Sequence, residues 1–188
     1  MDVALGWKPR SGWAALVVLA DANDAPALVD RRRVELVDEG ADWARQPYHA
    51  AEGIDREEGR ALVARAVASA GRHARLAMQA AVARAESAGQ RVVGCAVLMG
   101  SGMPAWSVDE ILAVHFRMHK AEGELFRGAL AEAARACELH FVPVPEKTLD
   151  LHGAQALGRG AGPPWGKDQK QAAVAAKIAL ETRGRRTR

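Results

Sequence analysis

His115, His119 and Glu122 stand at i, i+4 and i+7, a spacing that puts three potential metal ligands along one face of a helix. Two histidines so placed can share a divalent ion if further ligands complete the geometry. The general base that zinc proteases carry directly after the first histidine is absent, because Phe116 occupies that position. The same spacing also suits a stripe of histidines satisfied by hydrogen bonds. Glu124 and Arg127, beside this group, read as a solvated face or a local ion pair of small value. Asp168 reads either as a site carboxylate or as an acid favoured by the dipole at a helix start. Lys8 reads as a lysine exposed in a hairpin turn or as a phosphate contact. Trp7, Trp13, Trp106 and Trp165 could stack on bases at a cleft mouth, although packing is the commoner fate of a tryptophan.

Other chemistries find little support. The chain has no Walker-type phosphate loop, and Gly100-Ser-Gly102 is too short for a dinucleotide fingerprint. Ser101 and Ser107 lack the surroundings of a nucleophile elbow. Cys95, in an apolar run, and Cys137, near the end of a helical pattern, read as reduced core residues.

The elements that must position these residues follow from periodicity. Val3 to Leu5 and Trp13 to Ala20 are apolar runs separated by a turn-rich Lys8 to Gly12, which predicts a hairpin. A polar turn at residues 21–24 leads to a third strand over Ala27 to Val37, where alternation places Val34 and Leu36 opposite Arg33 and Glu35. Residues 39–55 show no clear period and are left unassigned; their Trp43, Tyr48 and His49 could equally pack a loop or line a site. Asp55 to Ala88 has the apolar spacing of a long amphipathic helix, in which Gly71 could mark a break. Arg91 to Met99 reads as a buried strand followed by the loop Gly100 to Pro104. Ser107-Val-Asp-Glu110 has the form of a capping box and predicts a helix running to about Cys137. Leu139 to Val144 is a fifth strand, and a Gly/Pro-rich loop at Gly158 to Gly166 precedes a last helix over Asp168 to Thr182.

A chain of 188 residues with 49% apolar and 26% charged residues has the balance of one globular domain, expected over residues 1–182 with a basic tail at 183–188. No stretch approaches the roughly 20 apolar residues that span a bilayer, and the N-terminus has no secretory pattern, so no membrane partner and a cytoplasmic location are expected. The net charge of +3 is unevenly spread, with nine Lys/Arg against four Asp/Glu from Phe141 onward. That surplus of five leaves about −2 for the first 140 residues. The Arg-rich tail could touch phosphates or be a solvated end.

The order β-β-β-α-β-α-β-α implies an α/β fold with a mixed sheet flanked by helices. It resembles the ribonuclease H-like superfamily, and in particular its branch of RuvC resolvases and YqgF-type proteins. Gly6-Trp-Lys-Pro9 stands where that branch has Gly-Ile-Asp-Pro, Ala121-Glu-Gly123 where it often has Ala-Arg-Gly, and Gly166-Lys-Asp-Gln-Lys170 where it has an acidic start to the final helix. The resemblance implies two divalent metals, Mg or Mn, held by carboxylates on the first strand, near the fourth strand and on the last helix. Here the first-strand position is Lys8, no carboxylate lies at Met99 to Ser101, and Asp168 is the matched acid. A non-catalytic or divergent domain that binds structured DNA or RNA is therefore expected. Its cleft would lie between Trp7, Lys8, Ser101, Lys167 and Lys170. The alternatives are a nuclease with an altered site, and a protein-interaction domain that forms homo-oligomers.

Overall fold

The computed structural model describes residues 1–22 and 25–183. Asn23 and Asp24 of the turn expected after the second strand, and residues 184–188 of the basic tail, lie outside the described residues. Arg183 itself is paired with Asp2 and Asp21.

Five strands form one mixed sheet: β1 (Asp2–Arg10), β2 (Trp13–Ala20), β3 (Ala27–Glu35), β4 (Arg91–Met99) and β5 (Phe141–Pro145). Their spatial order is β3-β2-β1-β4-β5. β1, β2 and β3 pair antiparallel, while β4 and β5 run parallel to β1. The sequence between the strands supplies α1 (Pro47–Ala50), α2 (Arg56–Ser87), α3 (Val108–Leu112), α4 (His115–Ala136) and α5 (Lys167–Thr182). The expected mixed sheet with flanking helices is the observed fold. Among the described residues no helix is long and apolar enough to cross a membrane.

The first strand is longer than its apolar run suggests. β1 extends through Lys8 to Arg10, and the turn is only Ser11-Gly12, with Gly12 at φ +80°. A two-residue hairpin connection requires a positive φ, which glycine supplies without a Cβ clash. Lys8, expected in the turn, is therefore a strand residue paired with Ala15.

Alternation along β1 assigns its side chains to two layers. Val3, Leu5 and Trp7 join a core with Ala66, Ala70, Ala74 and Met78 of α2 and Phe126 and Leu130 of α4. The other face packs on α5 through Ala172, Ala173, Ala175, Ala176 and Ala179. Small residues let this helix sit close to the sheet. A Cβ added at Gly6 would collide with the Ala172 carbonyl and lie 2.6 Å from Ala176 N.

The long helix read from the sequence is observed, and Gly71 does not break it: α2 runs for 32 residues. A single glycine costs only about 1 kcal/mol in a helix, and the buried Ala66, Ala70, Ala74 and Met78 hold both halves against the sheet. Asp55 caps the start, accepting from the backbone N–H groups of Glu57 and Glu58. By contrast, the single helix expected from Ser107 to Cys137 is two. The capping box of Ser107 and Glu110 opens α3, but Val114 is extended (φ −141°, ψ 112°) and α4 starts anew. Arg117 donates to the Glu110 carbonyl at 2.9 Å, satisfying an acceptor freed by the break. Residues 39–55 contribute a 3-10 turn (Asp42–Arg45) and α1, whose Tyr48 packs with Val63, Ile111 and Met118.

Candidate functional site

Because β1, β4 and β5 are parallel, their C-terminal ends meet at one edge of the sheet, where α5 also begins. Such strand ends are the usual position for ligand sites in α/β folds. Trp7 pairs with Val97 and Met99 with Pro145, so Lys8, Gly100 and Glu146 come from three strand ends to one place.

Lys8 is 1% exposed. Its Nζ donates to Glu146 Oε1 at 2.5 Å, while Glu146 Oε2 accepts from Arg127 Nη2 at 2.8 Å. Arg127 also donates to the Leu98 carbonyl at 2.9 Å and the Gly123 carbonyl at 2.8 Å. One guanidinium thus ties α4 to the ends of β4 and β5. Burial alone would raise the Glu146 pKa, but the hydrogen bonds and charges of Lys8 and Arg127 outweigh it and bring it down to about 2. The Lys8 pKa is also lowered, because burial of its ammonium outweighs the attraction of Glu146. The ionised pair is the form the geometry favours, since Glu146 has two cationic donors and keeps some contact with water.

Asp168, in the first turn of α5, receives Arg10 through both Nε and Nη2, the shortest contact being 2.7 Å. That hydrogen bond raises the Arg10 pKa. Glu146 and Asp168 are therefore both held by basic side chains on both oxygens.

A groove of about 480 Å³ lies against this network, with Ser101, His119, Lys120, Lys147, Lys167 and Gln171 in its wall. Lys147 and Lys167 are exposed, and Lys120 donates to Ser101 Oγ at 2.6 Å. Gln171 is buried and its Oε1 has no hydrogen-bond partner among the described residues. Glu124 packs against Gly100, where any Cβ would strike its carboxylate. A smaller cavity of about 130 Å³ lies beside Lys8, Arg10, Glu122 and Arg127.

Several expected site residues are placed differently. Trp7 is fully buried in the α2/α4 core, so it offers no face to a ligand; its indole N–H has no hydrogen-bond partner among the described residues. Lys8 cannot present its ammonium to a phosphate without leaving Glu146 and the interior. Ser101 and Lys167 do line the groove; Lys170 is half-buried on the next turn of α5 and does not. Arg127 is no solvated-face residue but the centre of the ionic network. Trp13 and Trp106 lie under Arg33 and Arg117, with guanidinium carbons 3.9 and 4.9 Å from the ring centroids. Trp165 donates to the Ala154 carbonyl at 3.2 Å. Cys95 is buried and its thiol is pushed up by desolvation.

His115 and His119 do come together, with Nε2 atoms 3.1 Å apart. Glu122 does not join them as a ligand. It is buried, and its carboxylate accepts from His49 Nδ1 at 2.8 Å and from the His49 backbone N–H at 3.1 Å. His49, from the unassigned stretch, takes its place beside the two α4 histidines. Glu146 carries no signal in the sequence beyond its position directly after a strand, whereas Arg127 reads as a solvated-face or ion-pair residue and His49 as one that could pack a loop or line a site.

No family model and no curated protein matches the sequence. Among solved structures, the fold is similar to that of Thermus thermophilus RuvC in complex with a Holliday junction substrate. The identity is 13%, the TM-score 0.51, and the match covers 94% of this chain and 90% of that one. The fold is thus of the RuvC, ribonuclease H-like type, with the strand-end edge of β1, β4 and β5 as its candidate site.

Proposed function

We propose that this chain is a RuvC-like domain that binds structured nucleic acid and does not carry out ordinary two-metal phosphodiester cleavage. The observation that carries the reading is the pairing at the strand ends: Lys8 and Arg127 occupy the two oxygens of Glu146, and Arg10 occupies both oxygens of Asp168. Two divalent ions need several carboxylates with free oxygens converging from separate elements. An ammonium placed among those carboxylates repels a cation. The donor set therefore does not fit a pair of Mg²⁺ or Mn²⁺ ions.

Binding is supported by the outer groove, where Lys120, Lys147 and Lys167 offer charge to phosphates. The similar RuvC structure is a complex with a Holliday junction, so a four-way junction is the first substrate to try. The test is to titrate the protein with labelled four-way junction, duplex and single strand, in Mg²⁺, Mn²⁺ or chelator, and to score binding and cleavage together. Salt-sensitive binding without cleavage, weakened by Lys147→Ala and Lys167→Ala, is expected. Metal-dependent cleavage that disappears in Asp168→Ala would overturn the non-catalytic reading. Absence of binding at low salt would overturn the nucleic-acid reading and leave a protein-interaction role.

A further inference from the structure

Beside the ionic network, α1 and α4 bring three imidazoles together. His49, His115 and His119 each offer a ring nitrogen, and these atoms lie within 4.8 Å of one another. The ring centroids are 4.6 to 5.0 Å apart, with steep interplanar angles of 53°, 87° and 89°. The rings therefore meet through edges and nitrogens instead of stacking face to face. Around a tetrahedral zinc ion with metal–nitrogen bonds of about 2.0–2.1 Å, neighbouring ligand nitrogens are about 3.3 Å apart. The Nε2 atoms of His115 and His119 are already at 3.1 Å, and a His49 ring nitrogen lies within 4.8 Å of each of their ligating nitrogens.

The second observation is the carboxylate behind His49. Glu122 is 6% exposed, and one oxygen accepts from the His49 ring at Nδ1 while the other accepts from the His49 backbone N–H. With Nδ1 engaged by a carboxylate, Nε2 is the nitrogen His49 has left to offer. His115 repeats the pattern more weakly: its Nδ1 is 3.8 Å from Glu52 Oε1, and its Nε2 is turned to His119. A carboxylate on the remote ring nitrogen fixes the tautomer and orientation of a metal-binding histidine. A chance meeting of three histidines would not need a buried carboxylate to aim one of them.

We propose that His49, His115 and His119 form a binding site for one zinc-class transition-metal ion, with Glu122 and Glu52 as positioning residues. Imidazole ligands suit Zn²⁺, Co²⁺ and Ni²⁺ and do not suit Mg²⁺ or Ca²⁺. The site is thus separate in chemistry from the carboxylate centre that the fold resemblance implies, and it does not rest on nucleic-acid binding. Its fourth position faces solvent, since His115 and His119 are exposed. His119 also lines the lysine-bearing groove, so the ion would add positive charge at its rim. The metal would link α1 to α4, two elements joined otherwise by the Glu122–His49 contact and the small core around Tyr48.

The test is titration of the full chain with Co²⁺, read by the visible absorption of four-coordinate cobalt, followed by displacement with Zn²⁺. One equivalent is expected to bind, Zn²⁺ to displace it and Mg²⁺ to leave it in place. His49→Ala, His115→Ala and His119→Ala should each weaken binding by about tenfold or more, with far-UV circular dichroism unchanged. Glu122→Gln should weaken it by about 10–100-fold, the usual range for an orienting partner, and change the cobalt spectrum. If Glu122→Gln fails to fold, the exposed Glu52→Gln gives the same readout with a smaller effect. Wild-type affinity in His49→Ala would mean that only the i, i+4 pair of α4 binds metal, and would overturn the three-histidine site, as would the absence of saturable cobalt binding. Repeating junction binding in chelator separates the two proposals, because removing the metal leaves phosphate contacts by Lys147 and Lys167 intact.

Discussion

Lys8 Nζ lies 2.5 Å from Glu146 Oε1, joining the middle of the sheet to the residue that follows β5. The two residues are far apart in the chain, and their contact closes the edge where the parallel strands β1, β4 and β5 end. The pair is asymmetric. The lysine side chain is 2% exposed and the glutamate side chain 25%, so the lysine depends on the glutamate more than the reverse.

Removing the glutamate should therefore be costly. Glu146→Ala leaves an ammonium buried without a counter-ion, a change that typically destabilises by about 3–5 kcal/mol. Replacing both partners, as Lys8→Met with Glu146→Leu, should recover most of that loss. Urea denaturation of the two single variants and the double variant gives the coupling energy. Equal, additive losses would show that the two side chains do not act as a pair.

The same pair sets an acid limit. Glu146 titrates at about 2 in the folded chain against an ordinary 4.5. A carboxylate whose folded pKa is depressed contributes stability that is present above the unfolded pKa and is lost as pH falls toward the folded one. Stability should thus drop between pH 4.5 and 2 more steeply in the wild type than in Glu146→Gln. Thermal melts across that window check this. Parallel curves would mean that other lowered acids, such as Asp2 and Asp109, account for the loss.

Gly6 tests how closely α5 is seated. Any side chain there meets the Ala172 carbonyl and Ala176 N, which are backbone atoms of a helix that cannot move independently. Overpacking of this kind costs about 1–3 kcal/mol, sometimes more, so Gly6→Ala should lower the midpoint of denaturation markedly. Gly53→Ala has open space and only a strained backbone, and should cost about 1–2 kcal/mol.

Phosphate binding should come from the groove lysines and not from Lys8. On duplex DNA, removing one lysine–phosphate interaction reduces the slope of log K against log salt by about 0.9. Lys147→Ala and Lys167→Ala should each flatten the slope for the junction by roughly that amount, measured by anisotropy between low and moderate salt. Lys8→Met should leave the slope unchanged, because its ammonium is already engaged by Glu146.

The sequence by itself determined the sheet and its flanking helices, because the apolar runs of β1, β2 and β4, the alternation in β3 and the helical apolar spacing of α2 and α5 are local patterns that neighbours in the chain reinforce. It also determined the capping box of Ser107 and Glu110, whose two partners are three residues apart. It put Lys8 in a turn because Pro9, Ser11 and Gly12 follow it, and a run of turn-forming residues does not reveal that pairing with Ala15 keeps Lys8 in the strand. It missed the extended Val114, since neither glycine nor proline marks the break between α3 and α4. What only the tertiary structure decided are the contacts between distant residues: Glu146 on Lys8, Arg10 on Asp168, and Glu122 turned inward to aim His49. Helical spacing placed His115, His119 and Glu122 on one face, but which of them meets a ligand depends on what packs against that face. The short helix carrying His49 has too few residues to show a period, so only folding could bring it there.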